Sequence, residues 1–125
     1  MVLNRWVGVY YFTDTIVQGE DIMNVFNIEN VPNKKELIEI LAESKNVRIE
    51  RIISSGQISP EGFLYDQDED EFVVLIQGEA VLSFEDNTSV RLKVGDTIII
   101  PAHKKHKVDF TSKNPPCIWL CIFYN

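Results

Sequence analysis

The chain has two histidines, His103 and His106, both within VGDTIIIPAHKKHKV at residues 94–108. They follow a Gly-Asp turn, an apolar run and Pro101, which places an imidazole where the next strand starts. A neutral imidazole offers one nitrogen lone pair and titrates near neutrality, so it serves as a metal ligand or a pocket base wherever a carboxylate can meet it. The carboxylates crowd a second stretch, YDQDEDEFVVLIQGEA at residues 65–80, where a polar run through Glu71 leads directly into the apolar residues Phe72–Ile76. Asp66, Asp68 and Asp70 imitate the first half of a calcium loop. That loop requires a glycine in its sixth place and a bidentate glutamate in its twelfth, and here those places hold Glu71 and Gln77. A hydrated turn and one arm of a metal or substrate site remain as readings.

Other chemistries find no support. Cys117 and Cys121 share the stretch CIWLCIFY, and on a strand their Cα atoms would lie about 13 Å apart, beyond the ~7 Å a disulfide can bridge. They are expected as reduced core thiols. Neither has a histidine beside it in sequence, no serine sits in a nucleophile elbow, and there is no glycine-rich phosphate loop.

The totals narrow the partners. A chain of 125 residues fits one compact domain. Its net charge of −7 repels phosphate backbones, so nucleic acid is a poor partner and a small-molecule ligand a better one. Its apolar runs fall far short of the ~20 residues of a membrane-spanning helix. With no signal peptide visible at the start, a cytoplasmic location is expected.

These residues need elements to position them. Strands are expected at 47–54, 72–84, 89–94, 97–100, 106–111 and 117–124, separated by turn signals such as EDNTS and KVGD. One short helix is expected in VPNKKELIEILAES, where Asn33 can cap, Glu36 can complete a capping box, and Leu37, Ile38, Ile40 and Leu41 form one stripe. Residues 1–22 are either an N-terminal extension or the source of an extra edge strand over 6–17, which would suit a homodimer. The expected architecture is therefore all-β, a closed or two-sheet antiparallel arrangement over 23–125.

The two histidine and carboxylate stretches together resemble the cupin superfamily. Glu71 followed six residues later by Gly78 matches the end of its first motif, and Gly95, five residues, Pro101 and then His106 match the second. The resemblance implies a double-stranded β-helix (jelly-roll) barrel, with a pocket that in many members holds a divalent metal on three histidines and one glutamate. The chain departs from that pattern: the first-motif histidines fall at Leu64 and Asp66 or at Tyr65 and Gln67, depending on the spacer, while His103 replaces a turn glycine and Phe110 the closing asparagine. The site set implied is Asp66, Gln67, Glu71, His103 and His106 around Mn²⁺, Fe²⁺, Zn²⁺ or Ni²⁺, with Phe63 and Tyr65 lining or covering the pocket. The activities implied are a metal-dependent oxygenase or isomerase on a small polar substrate, or a binding and sensor module without metal.

Overall fold

The structure is a computed structural model that describes residues 10–12 and 22–125. Its strands are β1 (Tyr10–Phe12), β2 (Leu37–Glu43), β3 (Val47–Ser54), β4 (Asp70–Gln77), β5 (Ala80–Phe84), β6 (Ser89–Leu92), β7 (Thr97–Ile100), β8 (His106–Thr111) and β9 (Cys117–Tyr124). The run expected over 72–84 is divided into β4 and β5 at Gly78. There φ is 91°, and a Cβ would lie 2.8 Å from the Cys117 Cα, so a residue without a side chain is needed on both counts.

The expected helix does not form. Leu37–Glu43 is β2, antiparallel to β3 with Leu37 opposite Ile53 and Ile38 opposite Ile52. Read with period two, Glu36, Ile38 and Ile40 share one face while Leu37 and Glu39 share the other, and all five are buried. A helix cap contributes about 1 kcal/mol. Burying a single Leu or Ile side chain contributes about 1.5–3 kcal/mol, so a strand sunk on both faces outweighs the local capping signal. The outward-facing Glu39 accepts from Arg51 Nε at 2.5 Å, and Arg51 Nη1 reaches the carbonyls of Val25 and Asn27 at 3.1 and 2.7 Å. That arginine straps the segment preceding β2 across the sheet.

Two sheets face each other, one in the order β1-β2-β3-β9-β4-β7 and one in the order β6-β5-β8. Ile38, Ile52, Val73, Leu75, Trp119, Cys121 and Phe123 from the large sheet meet Ala80, Leu82 and Leu92 from the small one in a single buried cluster. Both cysteines are buried thiols with no disulfide between them. The backbone of β1 pairs in parallel with β2, Tyr10 opposite Leu37. The remainder of the N-terminal stretch lies outside the described residues. No helix among the described residues is long and apolar enough to cross a membrane.

Candidate ligand-binding site

Strand periodicity carries the two half-sites inward. β4 alternates strictly, and Glu71 falls on the same buried face as Val73 and Leu75. Across the barrel β8 pairs with β5, where Val108 stands opposite Leu82 and His106 opposite Phe84, so His106 and Val108 also face the interior. Because β4 and β8 belong to opposed sheets, Glu71 and His106 line one cavity between them. Both are buried, at 7 and 4 % exposure.

That cavity has a volume of about 40 Å³ and a polar lining of Glu36, Gln67, Glu71 and His106, with Tyr65 and Trp119 contributing aromatic surface and aliphatic side chains most of the rest. At about 10–15 Å³ per enclosed water, it has room for roughly three waters or a group of similar size. Gln67 Nε2 donates to Glu71 Oε1 at 2.8 Å. His106 Nδ1 lies 2.8 Å from the Lys104 carbonyl oxygen. A carbonyl only accepts, so Nδ1 carries the hydrogen and Nε2 of the neutral ring holds the lone pair. The ring stacks on Tyr65 at a 5.1 Å centroid distance and 20°. The two residues also exchange backbone hydrogen bonds, of 2.6 Å from Tyr65 N and 3.2 Å from His106 N. Phe63, by contrast, packs edge-on against Tyr65 at 5.0 Å and is absent from the cavity lining.

Asp66 and His103 come together somewhere else. His103 Nδ1 meets Asp66 Oδ1 at 2.8 Å and its Nε2 lies 3.4 Å from Asp68 Oδ1, with all three side chains well exposed. In place of a turn glycine, His103 has a φ of 65°, the unusual backbone expected of that substitution. Its amide donates to the Gln67 carbonyl at 2.8 Å, and the Ala102 amide donates to Asp70 Oδ1, also at 2.8 Å. The acidic run is thus fastened to the turn before β8, which holds Gln67 beside Glu71.

The site contains a residue that sequence reasoning missed. Glu36, expected as a helix cap, is buried on the cavity wall, with Tyr65 Oη and Ser54 Oγ each 3.5 Å from one of its carboxylate oxygens. Trp119 Nε1 donates to the same Ser54 hydroxyl at 3.1 Å. The spacing of Glu36 with Ile38 and Ile40 was the available signal, because those three share a face only on a strand.

For a metal, the cavity supplies one carboxylate and one imidazole from the expected set, plus an amide already donating to that carboxylate. Among the described residues no three His, Cys, Asp or Glu side chains converge as a set able to hold an ion. The residues therefore do not fit the four-ligand cage that the family pattern implies.

Comparison with known proteins agrees with the architecture. The Cupin domain profile matches residues 52–123. A candidate mannose-6-phosphate isomerase from Ralstonia eutropha JMP134 superposes with a TM-score of 0.79 at 36% identity, over 84% of this chain and 98% of that one. A cupin superfamily protein from Desulfitobacterium hafniense DCB-2 gives a TM-score of 0.68 at 24% identity, over 87% of this chain and 94% of that one. The DMSP lyase DddQ from Ruegeria pomeroyi DSS-3 gives 0.56 at 19% identity, over 66% of this chain and 40% of that one. The last two show likeness of fold alone. No match was found among curated protein sequences. With the domain profile covering more than half of its length and the R. eutropha structure 36% identical over most of it, this chain belongs to the cupin family.

Proposed function

We propose that this cupin binds a small polar metabolite in the barrel cavity, with Glu71, His106, Gln67 and Tyr65 as the recognising groups. The observation that carries the reading is the meeting of a buried carboxylate and a buried imidazole on one cavity from opposed sheets. Polar groups sunk in an otherwise aliphatic wall cost stability unless something pairs with them, and a ligand does so. The imidazole lone pair and the carboxylate also suit proton transfer on a bound molecule, the kind of step an isomerase needs. Binding without turnover is the simpler use of the same groups.

The test is a thermal-shift and calorimetric screen of small hydroxylated, amino and acidic metabolites against the wild-type chain. A saturable rise in melting temperature is expected, because a ligand that prefers the folded state stabilises it. No hit, or hits unaffected by Glu71→Ala and His106→Ala, would remove the reading.

A metal-dependent isomerase or oxygenase is the second reading, favoured by the co-location of Glu71 and His106 and by the name of the R. eutropha relative. Metal analysis of protein purified without chelator separates the two. Bound Mn, Fe, Zn or Ni that is lost in both alanine variants would support this second reading, and metal that does not fall in them would oppose it.

A further inference from the structure

Resting on the reading of the cavity as a small-molecule site, we infer that its occupant is a small organic cation, a protonated amine whose ammonium group sits between Glu71 and His106. The cavity offers acceptors, and among the described residues no Lys or Arg faces Glu71 across it. A carboxylate accepts at about four positions, and for Glu71 one described donor is present, the neutral Gln67 amide. His106 turns Nδ1–H to the Lys104 carbonyl, and its Nε2 lone pair has no protein partner among the described residues. An ammonium brings three N–H donors and no acceptor, which complements this pair.

Charge points the same way. No Lys or Arg among the described residues lines the cavity. The three lysines around His106 are each engaged outside the cavity. Lys104 Nζ lies 4.6 Å from the Phe84 ring centroid, Lys105 Nζ 3.8 Å from Glu85, and Lys107 Nζ 3.6 Å from Asp109. Arg48 is in cross-strand register with Glu71, two strands away, but Phe123 lies between them and Glu50 and Glu69 already bind it. A buried carboxylate with no cation is costly, and a bound cation relieves it. Tyr65 and Trp119 add aromatic surface that attracts a cation, and the net charge of −7 draws cations toward the molecule. A phosphorylated sugar, the substrate class named for the R. eutropha relative, would meet none of these features favourably.

Three probes of nearly equal size isolate the charge: ethanolamine, ethylene glycol and glycolate, titrated into the wild-type chain at neutral pH in the presence of EDTA. Ethanolamine should bind about tenfold more tightly than ethylene glycol, with no saturable signal from glycolate, and Glu71→Gln should erase the preference. The wild-type ranking stands without any variant having to fold. Equal or tighter binding of ethylene glycol or glycolate overturns the cation and leaves the pocket reading intact. Silence from all three overturns both. Ethanolamine binding that appears only when Mn²⁺ replaces the chelator overturns the direct ammonium contact in favour of a metal-held ligand.

Discussion

Arg48, Phe123 and Glu71 form one row across β3, β9 and β4, and the two ends of that row treat charge in opposite ways. At the β3 end Arg48 donates through Nε to Glu50 at 2.7 Å and through Nη1 and Nη2 to Glu69 at 2.9 and 3.1 Å, with the guanidinium carbon 4.4 Å from the Phe123 ring centroid. Burial alone would lower the arginine pKa, but the hydrogen bonds to Glu69 and Glu50 overcome it, so the group titrates above its ordinary range. At the β4 end the Glu71 carboxylate has an amide and a cavity. Both ends are buried, and one is closed by its partners while the other faces the cavity. A polar group whose bonding is completed inside the fold holds the fold together, and one whose bonding is incomplete marks a place for a ligand.

The largest effect is therefore expected at the closed end. Arg48→Met keeps most of the side-chain volume while removing the guanidinium that donates to Glu50, which has 0 % exposure, and should cost about 3–5 kcal/mol in urea unfolding. Glu50→Gln in the same chain should recover part of the loss, since a buried charge that faced the arginine is gone. A loss under about 1 kcal/mol for Arg48→Met would mean that the cluster is not structural, and the contrast would break.

His106→Phe should rank next. It keeps a ring against Tyr65 but deletes the donor to the Lys104 carbonyl, an unmet bond that costs about 1–3 kcal/mol. Ethanolamine affinity should fall with it. Unchanged affinity in a folded variant would take the imidazole out of the site.

Glu71→Gln inverts the pattern. Removing a buried charge that has no described cation should leave stability within about 1 kcal/mol of wild type, or raise it, while ligand binding falls. A loss as large as that of Arg48→Met would show that Glu71 has a structural partner and that the row has no open end.

How much of this the sequence revealed follows from how local each signal is. Glu71 was legible because it opens a strand that ends at Gly78 and matches the end of the first cupin motif, and His106 because it follows Gly95 and Pro101 as in the second. The strands of the barrel carried their own turn markers. The β2 strand was hidden behind a genuine capping pattern, Asn33 with Glu36, and its true state depends on burial against β3 that no local window contains. The Arg48 cluster was invisible for the same reason, since Arg48 and Glu69 are 21 residues apart and meet only in the fold. Composition likewise cannot tell which way KKHK points. With His106 facing in, alternation turns Lys105 and Lys107 away from it, to Glu85 and Asp109.

The smallest effect belongs to a carboxylate that is satisfied but exposed, and it isolates what burial adds. Asp86, in the turn between β5 and β6, accepts from the Thr88 hydroxyl at 2.6 Å and the Thr88 amide at 3.1 Å. Those bonds, the hydroxyl's first, hold its pKa below the ordinary carboxylate range. A carboxyl with a folded pKa below its unfolded one stabilises the fold above the unfolded value, and that stability is lost as pH falls through the folded value. Thr88→Val removes the hydroxyl alone, so the Asp86 titration followed by NMR should move up toward the ordinary range, and the acid loss of this contribution should be smaller and complete at a higher pH. At neutral pH the variant should be slightly less stable than wild type, and the two should converge in acid. An unmoved Asp86 titration would show that the hydroxyl is not the cause. Asp86 thus has two donors and open solvent, whereas Glu71, buried on the cavity, has one amide donor among the described residues. Burial, and not the number of donors alone, is what separates the two carboxylates, and it is why the proposed ligand is placed at Glu71.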